Sequence, residues 1–231
     1  MLIAARSKLL FIGDSITDCG RNRPIAEGLF DPLGKGYVTQ VAALLGATYP
    51  ERPLRVVNTG CSGNTVRDLK TRWQTDVLDL KPDWLSIMIG TNDVWRQFDS
   101  QLFPELAVQP DEYGKTLEEL VVSTKPLLKG LVLMTPFYAE PSRSDAMRAR
   151  MDQYGAIVLA IAKKHGVIGV DTQAAFDLAL KHQHSGNLAW DRVHPNAVGH
   201  AVLTRAFLDA IGFVWSPVAR GSSPSRTPPG S

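Results

Sequence analysis

The sequence predicts an α/β fold, a three-layer doubly wound domain in which helices cover both faces of a five-stranded parallel sheet. Three observations carry this prediction. Five short apolar runs recur along the chain, and their residues are apolar on successive positions, the signature of strands buried on both faces. Longer amphipathic stretches with helix punctuation lie between them. The 231 residues suit one generous domain, with no internal repeat and no second core.

The elements follow in chain order. Leu9 to Ile12 reads as the first strand, and Gly36 to Tyr49 as the helix before the second strand, Arg55 to Val57. Thr65 to Leu80 is the next helix; its Thr65-Val-Arg-Asp68 start has capping-box spacing, with Asp in place of the preferred Glu. Trp84 to Ile89 is the third strand, Asp111 to Leu128 a helix, and Leu131 to Met134 the fourth strand. Ser144 to His165 is a helix and Val167 to Val170 the fifth strand. His194-Pro195-Asn196 opens a last helix, with proline near its first turn and Gly212 past its end. Strand and helix alternate over residues 1–215, which predicts one flavodoxin-like domain over that range. Serine, proline and glycine dominate residues 216–231, which read as a disordered tail.

Composition excludes several functions. Lys plus Arg number 25 against 23 for Asp plus Glu, so no basic surplus steers the chain to nucleic acid or an anionic membrane. No apolar run approaches the ~18 residues of a membrane span, and no signal-peptide core follows Arg6 and Lys8. Cys19 and Cys61 stand alone, so neither a redox pair nor a zinc knuckle can form. A cytoplasmic protein without a metal or cofactor is expected. His182 and His184 lack an acid cluster that would make them metal ligands, Arg21 and Arg23 read as a solvated loop, and Trp215 as packing on the body or on a second subunit.

In an open parallel sheet ligands bind beyond the carboxyl ends of the strands. The first strand runs into Gly13-Asp14-Ser15, the second into Asn58-Thr59-Gly60-Cys61-Ser62-Gly63-Asn64, and the third into Gly90-Thr91-Asn92-Asp93. Asp191-Arg192-Val193-His194 lies near the end of the chain. Acyl transfer needs a nucleophile, a base, a group to orient the base, and donors for an oxyanion. Ser15, in a tight turn at a strand exit, suits the nucleophile. Asp191 and His194, three residues apart, suit an oriented base, while the N–H groups of Ser15 and Gly63 and the Asn92 amide suit an oxyanion hole. Each segment also reads as an ordinary turn or cap when taken alone; their order and their placement at strand exits join them.

These blocks resemble the SGNH, or GDSL-type, hydrolase superfamily, over roughly Leu9 to Ile211. Ser15, Gly63, Asn92, Asp191 and His194 stand at its motif positions, with Ile16 where the family name implies leucine. Phe11 to Gly20, Ser62 to Lys70, Asp93 to Gln97 and Leu188 to Pro195 are similar to the intracellular serine acetylxylan esterases of that superfamily. The resemblance implies the SGNH hydrolase fold and deacetylation of xylo-oligosaccharides. It also implies a small acyl pocket, no metal or other cofactor, and a homo-oligomer as large as an octamer. Trp95 and Trp190, beside the asparagine and histidine blocks, are expected to wall the sugar or acyl group, with core or interface packing as the other reading. A lysophospholipase or thioesterase of the same superfamily is the alternative function, and a non-catalytic nucleotide-binding module is a further one, although no GxxxxGK[ST] loop is present.

Overall fold

The computed structural model describes residues 1–215, so the expected tail over 216–231 lies outside the described residues. Five strands, β1 (Lys8–Gly13), β2 (Arg55–Asn58), β3 (Trp84–Met88), β4 (Gly130–Met134) and β5 (Ile168–Val170), form one sheet in the order β2-β1-β3-β4-β5. Every pairing is parallel. Alternate strand residues feed two separate cores, as the two-residue period of a strand requires. Leu10, Ile12, Leu85, Ile87, Leu131 and Leu133 face one side. Leu9, Phe11, Met88, Val132 and Met134 face the other.

The first core is covered by α3 (Val66–Trp73), α4 (Thr91–Asp99), α5 (Pro110–Thr124) and α6 (Ala146–His165). The second is covered by α2 (Tyr37–Thr48), α7 (Thr172–Leu180) and α8 (Ala197–Ala210), with the short α1 (Ser15–Asp18) at the mouth of β1. This is the expected three-layer arrangement. The chain turns from β1 to one side for β2 and then crosses to the other side for β3, so the crevice between β1 and β3 is the topological switch point.

Four local features differ from the sequence expectation, one of them helix α7, which follows β5 directly where no helix is expected. The helix expected over Thr65 to Leu80 changes character after Trp73 and continues as a π-helical turn, Gln74–Leu78. Helix α4 starts directly at the exit of β3, where Gly90 takes φ 127°, so Asn92 and Asp93 lie in a helical first turn. Helix α8 starts after Pro195: Asn196 is the cap, its side chain accepting from the Val198 and Gly199 N–H groups, which leaves the proline in the preceding loop.

Candidate active site

Ser15 is the first residue of α1, two residues beyond the glycine that ends β1. Gly13 is dictated by packing, because a Cβ there would lie 2.2 Å from the Met88 carbonyl oxygen and 2.4 Å from Thr17 Oγ1. The chain therefore leaves the sheet closely apposed to β3, and Asp14 caps α1 by accepting from the Ile16 N–H at 3.0 Å.

The histidine arrives on a pinned loop. Ala189 and Pro195 form an isolated bridge across its base, and Ala139 N–H donates to the Arg192 carbonyl at 2.8 Å. Arg192 sits at φ 66°, a conformation that costs a non-glycine residue about 1–2 kcal/mol. Its guanidinium lies 2.5 Å from the buried Glu140 carboxylate, which helps hold it there. Within the loop, Asp191 Oδ1 accepts from the Val193 and His194 N–H groups at 3.0 and 2.7 Å, and Oδ2 lies 2.6 Å from His194 Nδ1. One carboxylate thus fixes both the loop and the ring.

His194 Nε2 stands 3.0 Å from Ser15 Oγ. With Nδ1–H donated to the carboxylate, Nε2 is the nitrogen free to accept the serine proton. Partial burial opposes ionisation of Asp191, but the hydrogen bonds from the His194 ring, the His194 N–H and the Val193 N–H outweigh it and hold its carboxyl below the usual carboxylate range. The His194 and Asp191 side chains are 45% and 40% exposed, so a substrate reaches this line without a lid having to open.

Gly63 lies in the loop after β2 at φ 82°, in the left-handed region that favours glycine, with open space around the position of a Cβ. No protein acceptor among the described residues takes the N–H of Gly63 or of Ser15. Asn92 is buried, with its amide oriented at both ends: Nδ2 donates to the Asn64 carbonyl at 3.0 Å, and Oδ1 accepts from Arg96 at 3.3 Å. The second Nδ2 hydrogen remains available to a ligand. The three expected oxyanion donors therefore lie at the exits of β1, β2 and β3.

Trp95 stands one turn after Asn92 on α4, and its ring centroid is 5.7 Å from that of His194 at an interplanar angle of 59°. Trp190 is different. Its side chain is 91% exposed although Asp191 is its neighbour in sequence. Trp215 packs on the body, against Phe213 with centroids 4.8 Å apart and with its Nε1–H donated to Asp209.

Other side chains differ from the sequence reading. Arg21 is buried, its guanidinium donating to the carbonyls of Gly60, Asn22 and Pro24, because those loop carbonyls have no strand partner. Cys19, solitary in sequence, has His200 Nε2 3.4 Å from its Sγ. Burial pushes the Cys19 thiol up and holds His200 down at about 4, so the pair presents a neutral thiol and a neutral imidazole. Among the described residues no group of three or more His, Cys, Asp or Glu side chains is placed to hold a metal ion.

Two buried carboxyls were not read from the sequence as part of the site. Asp14 and Asp93 each make one hydrogen bond to a helix start, Ile16 N–H and Val66 N–H respectively, and each leaves Oδ2 without a partner among the described residues. Burial raises Asp14 to about 6 and Asp93 to about 7. The signal available in sequence was an acid next to each candidate reactive residue.

The chain is similar to known proteins over most of its length. Residues 11–202 match the model of the GDSL-like Lipase/Acylhydrolase family. The chain belongs to this family. It is 60% identical over 215 residues to an acetylxylan esterase of Geobacillus stearothermophilus, an alignment covering 93% of this chain and 98% of that one. A crystal structure of the acetylxylan esterase from the same organism superimposes with a TM-score of 0.93 at 59% identity, covering 94% of this chain and 99% of the other. An α/β hydrolase from the metagenome of Lake Arreo, Spain, superimposes with a TM-score of 0.90 at 57% identity, covering 92% and 98%.

Proposed function

We propose that this member of the family is a serine esterase that removes acetyl groups from xylo-oligosaccharides or related acetylated sugars. The observation that carries the reading is the hydrogen-bonded line from Ser15 Oγ through His194 to Asp191, in a chain so similar to an acetylxylan esterase over its described length. Ser15 Oγ attacks the ester carbonyl as His194 Nε2 takes its proton, and the imidazolium that results is stabilised by Asp191. His194 then gives the proton to the departing sugar alcohol, leaving an acetyl-enzyme. Water, deprotonated by the same nitrogen, releases acetate and restores Ser15. Charge that develops on the carbonyl oxygen falls to the N–H groups of Ser15 and Gly63 and to Asn92 Nδ2; removing one such donor typically costs about 2.7–4 kcal/mol of transition-state stabilisation.

Trp95, beside the His194 ring, is assigned to the wall of the acyl or sugar site. Trp190, with its exposed face, is assigned either to the sugar or to a second copy of the chain. We assign the protein to the cytoplasm and to a homo-oligomer, on the resemblance and on the exposed Leu29, Phe30 and Trp190. Light scattering on the full chain tests the oligomer, and a monomeric mass would refute it. Among the described residues no helix is long and apolar enough to cross a membrane.

Acetate release from acetylated xylo-oligosaccharides, with Ser15→Ala in parallel and a lysophospholipid at matched concentration, tests the function. Fast release that vanishes in the variant is expected. Turnover of the lipid with the sugar esters left intact would transfer the protein to the lysophospholipase side of the family.

A further inference from the structure

Arg72 sits near the end of α3, outside the residues assigned to substrate contact, and its side chain is only 16% exposed. Its guanidinium joins segments that the chain brings together from three places. Nε donates to Asn64 Oδ1 at 2.6 Å and Nη2 to the Gly13 carbonyl at 3.0 Å. Nη1 donates to the Thr59 carbonyl and to Asp76 Oδ2, both at 2.6 Å.

The acceptors are the informative part. Gly13 is the last residue of β1, two before Ser15, and Thr59 opens the loop after β2. Asn64 follows Gly63 directly, and its backbone carbonyl is the acceptor that orients the Asn92 amide. One planar group therefore touches the run-in to the nucleophile, both ends of the glycine loop and, through one further bond, the asparagine. Arginine suits this task because its donors radiate in a rigid plane; lysine offers a compact point charge on a flexible stem. Asp76 lies in the π-helical turn that follows α3, and its carbonyl accepts from Thr59 Oγ1 at 3.3 Å. π-Bulges occur frequently at functional sites.

We propose that Arg72 is a positioning residue of the oxyanion hole, setting the spacing between the Ser15 turn and the Gly63–Asn64 loop before an ester binds. Donors fixed in advance need no reorganisation when charge develops on the substrate oxygen. The inference rests on the acyl-transfer reading above. A plain structural ion pair with Asp76 is the competing account, and it predicts loss of stability with no coupling to Asn92.

The test is a double-mutant cycle on hydrolysis of 4-nitrophenyl acetate, using the full chain as wild type, Arg72→Lys, Asn92→Ala and the combination, with Ser15→Ala as control. Arg72→Lys is expected to lower kcat by about 10²-fold, in the range for loss of one oxyanion donor, with KM within about threefold of wild type. Asn92→Ala alone is expected to lower kcat by about 10²-fold or more. In the Asn92→Ala background, Arg72→Lys is expected to cost about fivefold or less, because both substitutions damage the same hole. If Arg72→Lys leaves kcat within about threefold of wild type, or if its full loss persists in the Asn92→Ala background, the positioning role is wrong. Should Arg72→Lys fail to fold, Arg72→Gln carries the same cycle under the same criteria. Activity retained in Ser15→Ala would bring down the acyl-transfer reading itself. An inactive Ser15→Ala beside an unaffected Arg72→Lys would remove only Arg72.

Discussion

Asp93 shows how a single residue at the site trades stability against placement. Its Oδ1 accepts from the Val66 N–H at the start of α3, tying the asparagine helix to the helix that follows the glycine loop, while Oδ2 is buried without a partner. Burial raises its folded-state pKa to about 7, with repulsion from Asp14 a smaller contribution in the same direction. An unfolded chain releases this proton near an ordinary value of about 4. Between those two pH values the folded state binds a proton that the unfolded state has lost, so the contribution of Asp93 to stability is full at low pH and is lost as pH rises through 7. Asp93→Asn keeps an acceptor for Val66 and removes the titration. Its stability relative to wild type, from urea unfolding at a series of pH values, is expected to improve steadily between about pH 4 and 7. A difference independent of pH would show that Asp93 does not carry this proton. Neither the protonated state of Asp93 nor the reach of Arg72 is legible in the sequence, since both depend on which groups the fold seals off. Ser15, Gly63, Asn92, Asp191 and His194 could be proposed from the sequence because each stands at an expected strand exit or in a compact loop.

At the scale of elements, strands were easier to read than helices. A run such as Leu-Leu-Phe-Ile over residues 9–12 must be buried on both faces, and little other than a central strand accommodates it. Helix α4 carried no comparable signal, because its first turn, Thr91-Asn92-Asp93, has turn-like composition and is buried by tertiary contacts that override propensity. Helix α7 was missed for a related reason: it follows β5 directly, with Asp171 accepting from the Ala174 N–H as its cap. Helix α8 was expected, and its start matters to the site because the histidine loop ends there. Asn196 satisfies two of the free N–H groups at that start and also donates to the Asn187 carbonyl at 2.9 Å. Asn196→Ala is therefore expected to lower unfolding stability by about 0.5–2 kcal/mol, and Asn196→Asp to keep most of it. Equal urea midpoints for wild type and Asn196→Ala would show that the cap contributes nothing.

For the molecule as a whole, the sheet order decides where chemistry can occur. With β1 between β2 and β3, the chain diverges to opposite sides at one point, and Ser15 and Asn92 lie at the mouth of that crevice while α8 brings the histidine loop from the far end of the sequence. Two apolar cores hold the arrangement from either face of the sheet, so the polar strand exits need only be fixed locally, by caps, carbonyl bonds and the Arg72 fork. The proposed mechanism requires Ser15 Oγ to be the acylated atom. The most direct measurement is reaction of the full chain with an organophosphorus ester, followed by intact mass and peptide mapping alongside residual acetyl-esterase activity. A single adduct on the peptide containing Ser15, accumulating in step with loss of activity and absent from Ser15→Ala, is the predicted result. Full activity in chains modified at Ser15, or inactivation with the label on another residue, would contradict it.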